Sequence, residues 1–564
     1  DDGSNTAGFM TEPMEFADQL AGYVESEHPE FLVNKLYYDA YKKDMTAGTY
    51  PDVRSGLQKL LKDGLLLFNY TGHGGTTALS DEKVLTQTDI NQFTYTHLPV
   101  WVTATCDFTR FDDLNTSAGE DVFLNKSSGG IALFTTVRVA YSRPNFPIND
   151  NVIRNLFERN NGRRRTLGEV MQATKNTLSS VYKLGFCLIG DPAVKMAYPE
   201  FGMKVTTVNG QSVDGNSISF KALEKITVEG EVLDASGQLV TDFTGIVNPT
   251  VKDSKVTVTC LKNSNKDDSP AFTFTDYPNT IFIGNDSVRN GKFSFTFTVP
   301  KDISYSNLQG KMNLYAVDTE SGNEAQGNFD NFIVGGTSDT AETDTIGPEI
   351  RALYLNDTTF MDGGQVNTTP YFVAELWDKS GVNITGSSVG HDMMLVIDES
   401  TVLSYNLNSY YELLPGEDGT GIVKFPIPAL EPGKHTAEFW VWDILNNSTV
   451  RTFTFEVVEG LKPFLFDVIA TPGIAREQVT FHLMHNRPES RMRVGIMVYD
   501  LAGRQLWKHE ESGTSGLFEN YTVSWDLTSG GARMRPGVYI YRAAISTDNS
   551  KDATKARKFI ILGE

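Results

Sequence analysis

The feature that most limits how this chain can fold is a change of pattern near Pro199. Before it, helical spacing of apolar residues alternates with short unbroken apolar runs. After it, short strands and turns follow one another and no helix of length is expected. Glu12 to Val24 and Pro51 to Lys62 carry helical spacing, and the second opens with a proline at a first-turn position. The runs 64–70, 98–103 and 130–135 are apolar almost throughout, as strands buried on both faces are. Helical spacing returns at 148–160 and 166–180. Residues 1–200 are therefore expected to form βα units around a parallel sheet.

From residue 201 onward apolar and polar residues alternate, as in Lys292 to Val299, which suits sheets with one face on a core. Turn sequences recur at Asp234–Gly237, Asp378–Gly381 and Pro432–Gly433, at intervals typical of sandwiches. The stretch 334–348, rich in Gly, Thr, Asp and Ser, and the segment 458–463 read as linkers. Cuts at about 200, 345 and 460 give an α/β domain (1–200) followed by three all-β, immunoglobulin-like sandwich domains (201–345, 346–460 and 461–564). A length of 564 residues fits several domains. The net charge of −22 argues against wholesale binding of nucleic acid or anionic lipid, which carry the same sign. The basic run Arg163-Arg164-Arg165 reads as a solvated turn before a helix. No apolar run is long enough to span a membrane as a helix, and Asp1 does not look like a natural start, so sequence upstream is expected.

Three cysteines, Cys106, Cys187 and Cys260, cannot build a disulfide framework, and their spacing matches no CxxC metal site. Cys187 lies inside an apolar run and Cys260 in an alternating strand, so both read as structural. Cys106 is different. It follows the run 98–103 directly, while His73, flanked by Gly72, Gly74 and Gly75, follows the run 64–70. Ligands bind at the carboxyl ends of strands in a parallel sheet, so a thiol and an imidazole 33 positions apart (106 − 73) can meet there. An imidazole beside a thiol lets it ionise, because a free cysteine of pKa about 8.5 is mostly protonated at neutral pH. The glycines allow close backbone approach, and the N–H groups of Gly74 and Cys106 could hold a developing oxyanion. From pattern alone two readings stand: this dyad, or a buried small cysteine beside a turn histidine. The loop Asp112-Asp113-Leu114-Asn115-Thr116-Ser117 offers oxygen ligands for Ca²⁺ but lacks EF-hand spacing and reads as a solvated loop. The remaining histidines have no comparable neighbour.

At these residues the chain resembles the gingipain family of cysteine peptidases (peptidase family C25), which have a caspase-like α/β fold. Asn69 to Gly74 resembles the catalytic His motif, Cys106 the nucleophile, and Gly190-Asp191-Pro192 the end of the catalytic domain. The resemblance implies an acidic residue assisting His73. Asp1 or Asp2 occupies the matching place, with Glu12 and Glu15 as substitutes that also suit the first turn of a helix. Thr135, Thr136 and Arg138 are positional guesses for residues reading the substrate. The segments 498–504, 523–526, 535–542 and 558–562 resemble the sorting domain of type IX secretion cargo, and Asp378–Asn383, Gly390–Asp392 and Trp442–Ser448 resemble the modules of the gingipain-like signal peptidase of that system. That resemblance implies a cysteine endopeptidase and sortase at the outer-membrane surface. It would cleave cargo proteins before their C-terminal signal domains, pass them through a thioester to anionic lipopolysaccharide, and dock on the outer-membrane barrel PorV through residues 461–564. No cofactor is required on this reading, and a structural Ca²⁺ has no support in the sequence. A broad-specificity secreted peptidase and an inactive surface scaffold are the alternatives.

Overall fold

The computed structural model describes residues 12–160, 162–263, 270–339, 344–386, 390–414, 419–547 and 550–563. In the first domain six helices, α1 (Glu12–Glu27), α2 (Pro51–Asp63), α3 (Gln87–Gln92), α4 (Ala118–Leu124), α5 (Ser142–Phe157) and α6 (Leu167–Thr177), flank a four-stranded sheet. Its strands lie in the order β1 (Leu67–Thr71), β2 (Val100–Ala104), β3 (Ala132–Thr136), β4 (Phe186–Ile189). Strands β2 and β3 are buried at every residue, which explains their unbroken apolar sequence. Alternate residues divide between two cores. Val100, Val102, Ala132 and Phe134 pack with Leu20, Val24, Val152 and Val170 of α1, α5 and α6. Trp101 and Leu133 pack with Val53, Leu57, Leu61 and Val122 of α2 and α4. Helix α2 buries those residues at i, i+4 and i+8 and starts at Pro51, where a missing N–H costs nothing.

The sheet is not wholly parallel. β1, β2 and β3 run parallel, but β4 runs antiparallel to β3, pairing Leu133 with Ile189 and Thr136 with Phe186. One crossover helix returns a chain to the start of the next strand. Here two helices, α5 and α6, intervene, so the chain re-enters from the opposite rim.

Beyond Pro199 each module has its own core. Residues Met203 to Val334 surround the second, Leu355 to Val457 the third and Leu465 to Ile561 the fourth. In the third, a four-stranded and a five-stranded sheet face each other; in the fourth, a three-stranded and a five-stranded sheet do so. The second module departs from an open sandwich: its large sheet closes on itself where Phe201 and Gly202 pair with Ala325 and Gln326. Gly327 makes the closure possible, because a Cβ there would lie 2.1 Å from the Met203 carbonyl oxygen.

Polar anchors join the modules. The Lys35 ammonium, with 2% of its side chain exposed, reaches Asp18 (3.0 Å), Glu25 (3.3 Å) and the Thr275 carbonyl (2.9 Å) of the second module. Asp302 of the second module takes His391 (2.6 Å), Asn383 and Asn446 of the third. Buried Arg487 of the fourth donates to the carbonyls of Leu461 and Lys462 at the linker. The fourth module also touches the first, through Lys62 and Glu489 (3.0 Å) and through Thr94 and Thr514 (2.7 Å).

Candidate active site

The register of the sheet places both sequence-predicted residues on one rim. Thr71 of β1 pairs with Ala104 of β2, and His73 and Cys106 each follow two residues later. Parallel strands in register release their next residues side by side, so both side chains leave the sheet from the same carboxyl edge. The turns are sharp. Gly72 has φ 149°, a left-handed conformation that favours glycine, and Asp107 adopts φ 48° directly after the cysteine.

The two loops touch. Gly74 lies against the side chain of Thr105, and a Cβ at residue 74 would fall 2.4 Å from the Thr105 hydroxyl oxygen. The histidine loop is held from behind: the Tyr70 hydroxyl donates to the His73 carbonyl at 2.6 Å, and the Ser80 and Gly75 amides donate to the carbonyls of His73 and Ala78. Burial pushes the Tyr70 hydroxyl well above its usual range, so it stays a donor. The N–H groups of Gly74 and Cys106 donate to nothing among the described residues. Two free amides beside a partly exposed thiol are the arrangement an oxyanion site requires.

The Cys106 sulfur lies 3.0 Å from the Ala140 carbonyl oxygen and 3.4 Å from the Ala140 nitrogen, just past the end of β3. Two bonds hold the segments there: the Asp107 amide donates to Arg138, and the Thr136 hydroxyl to the Thr105 carbonyl at 2.6 Å. Thr135 and Thr136 therefore do not read substrate. Both are buried, and Thr135 is linked by its hydroxyl to Thr103 and Thr109. Arg138 is exposed but gripped by Asp112 through two bonds of 3.0 and 2.6 Å. That pairing also engages the acidic loop. Asp113 faces Arg110 at 3.6 Å, and Ser117 caps α4 with Glu120, so the loop is an ion-paired helix entry.

Asp1 and Asp2 lie outside the described residues. Of the substitutes, Glu12 is buried and paired with Arg143 at 2.8 Å, while Glu15 is exposed in the first turn of α1. Cys187 sits on β4 opposite Thr135. Cys260 is buried among Met14, Tyr37 and Phe274, and burial pushes its thiol up to about 12. The arginine run is ion-paired, Arg163 with Glu169, Arg164 with Glu200 and Arg165 with Glu158. A cleft of about 260 Å³ lies along the outer edge of β1, lined by residues such as Leu20, Val24, Leu57 and Leu67, and neither His73 nor Cys106 lines it.

Sequence reading missed a second cluster. Asp344, Asp378 and Asp443 bring carboxylate oxygens within 4.8 Å of one another at the start of the third module and could hold a metal ion. Asp378 and Asp443 are buried. Desolvation, aided by the neighbouring carboxylates, raises Asp378 to about 6. The signal lay in the turn sequences around Asp378 and Asp443, whose members meet only through the fold.

The rim therefore carries a half-buried thiol and a histidine that follow paired residues of adjacent strands, with the amides of Gly74 and Cys106 in the same two loops. Residues 1–197 match the model of peptidase family C25. The chain is gingipain-like and similar to PorU. Latent dimeric PorU from Porphyromonas gingivalis shares 36% identity over 78% of this chain, with a TM-score of 0.32. The Arg-specific proteinase gingipain R shares 19% identity over 50% of this chain and 56% of its own, with a TM-score of 0.25. This chain spans 41% of the PorU chain. No curated protein matches. Among the described residues no helix is long and apolar enough to cross a membrane.

Proposed function

We propose that this protein removes the C-terminal signal domain from cargo of type IX secretion and transfers the cargo, through a thioester, to an amine of anionic lipopolysaccharide or to water. The observation that carries the reading is the placement of His73 and Cys106 two residues beyond the paired residues Thr71 and Ala104, with Gly74 seated on Thr105. His73 takes the proton from Cys106 as the sulfur swings from the Ala140 carbonyl, and the thiolate attacks the scissile carbonyl carbon. The amides of Gly74 and Cys106 receive the oxyanion. On collapse the C–N bond breaks, His73 returns its proton to the departing amine, and the cargo remains as a thioester on Cys106. An incoming amine or water then releases it. The similarity to PorU supports the cargo assignment, a place on the outer face of the outer membrane, and docking of residues 461–564 on the barrel PorV.

The test incubates the purified chain with a cargo that retains its signal domain, in the presence of an added amine. Cleavage at that junction alone, with the amine appended by mass spectrometry and nothing formed by Cys106→Ala, is the expected result. Broad digestion of casein supports instead a secreted peptidase of wide specificity. If wild type and Cys106→Ala are equally inert, the chain is a scaffold.

A further inference from the structure

Three segments are tied to one another on the Cys106 side of the rim. Residues just past β3 bring Ala140 into contact with it, and the flanking Val139 and Tyr141 project into solvent. The short helix Val181–Gly185 packs beside them: the Val137 amide donates to the Gly185 carbonyl at 2.8 Å, and Tyr182 meets Tyr141 edge-on with ring centroids 6.0 Å apart. Val181 and Leu184 on that helix, like Val139 and Tyr141, are at least 64% exposed. The loop after the nucleophile adds exposed Phe111, and the Asp112 to Arg138 pair ties it to the same rim. Exposed apolar side chains scattered singly mean little, but a cluster continuous with a nucleophile marks a binding surface.

Apart from Asp107, the charged side chains of these segments are already engaged. Arg138 holds Asp112, Arg110 faces Asp113, Arg143 holds Glu12, and the Lys183 ammonium donates to the carbonyls of Lys175 and Leu178. Asp107 lies within electrostatic range of Arg138. A subsite for a charged substrate residue would need an opposite charge left open at its wall.

Building on the peptidase reading, we propose that this rim is the subsite that selects the residue beside the scissile bond, and that it takes an uncharged apolar side chain of an extended polypeptide. Tyr141, Tyr182 and Leu184 form its wall. Removing such a side chain from water favours binding at the rim, whereas a lysine or glutamate there loses hydration and the wall residues Tyr141, Tyr182 and Leu184 offer it no charge.

The test uses peptidyl acyloxymethyl ketones whose residue next to the reactive carbon is Leu, Phe, Lys or Glu. The Cys106 thiolate displaces the carboxylate leaving group and forms a thioether, which mass spectrometry reads on the full chain. Iodoacetamide reports the intact thiol. Leu and Phe probes are expected to react at least about tenfold faster than Lys and Glu probes. The double variant Tyr141→Ser, Leu184→Ser should reduce that ratio to about threefold or less, with iodoacetamide labelling unchanged. Equal rates for all four probes, or a ratio that survives the double substitution, overturns the subsite alone. Labelling by iodoacetamide but by no peptidyl probe overturns the peptidase reading and the subsite with it.

Discussion

The rim of the catalytic sheet and the junction of the second and third modules both gather reactive side chains, yet they treat them oppositely. At the rim the charges are matched, exposed Arg138 against Asp112 and exposed Arg143 against buried Glu12, and the thiol is half-buried against the Ala140 carbonyl, beside two amides that donate to nothing among the described residues. At the junction three aspartates crowd together, two of them buried, and Asp302 clamps His391, Asn383 and Asn446. Open, electrically balanced groups are available for chemistry; buried, crowded ones carry their consequences into stability and pH response.

Substitutions can break or sharpen this contrast. The largest effect belongs to Cys106→Ala, which is expected to abolish cleavage and transfer while leaving the thermal unfolding profile unchanged. Gly74→Ala comes next. Its Cβ collides with Thr105, so one loop must shift, and a displacement of about 1 Å at a reacting centre costs about 10²-fold in kcat/KM. Activity assays paired with thermal scans separate that loss from misfolding. Away from the rim, Lys35→Ala leaves Asp18 and Glu25 without their shared cation and is expected to destabilise the first domain by about 2–3 kcal/mol, read as a lower first transition in denaturant.

The junction should answer to pH. Asp378 titrates near 6 in the folded protein, above the 3.8 of an ordinary aspartate, so the folded state holds its proton where the unfolded state has lost it. This contribution to stability is fully present below about pH 4 and disappears as pH rises through 6. Wild type should therefore gain more stability than Asp378→Asn on going from pH 7 to pH 5, a difference thermal scans of both proteins would show. Arg138→Ala has the smallest expected effect: an exposed pair is removed and the unfolding profile should not move.

The strands that position the site were legible because β2 and β3 are buried on both faces and so carry unbroken apolar sequence, and counting along adjacent strands brought His73 and Cys106 to one rim. The reversed direction of β4 was not, since it depends on two helices intervening rather than one. Closure of the second module rests on the tight contact of Gly327 with Met203, which no periodicity encodes. Thr135 and Thr136 misled for a related reason: position on a strand tip does not reveal that the hydroxyls are engaged with Thr103, Thr109 and the Thr105 carbonyl. The aspartate cluster stayed hidden because its members are 34 and 65 positions apart (378 − 344 and 443 − 378) and lie on turns that look ordinary one at a time.

The account rests on His73 acting upon Cys106. Its most direct test is the rate at which iodoacetamide alkylates each cysteine at pH 7, followed by mass spectrometry in wild type and in His73→Ala. Cys106 should react first in the wild type, Cys260 should stay unmodified, and His73→Ala should slow Cys106 by about tenfold or more. Equal Cys106 rates in the two proteins, or faster reaction at Cys260 than at Cys106, would contradict it.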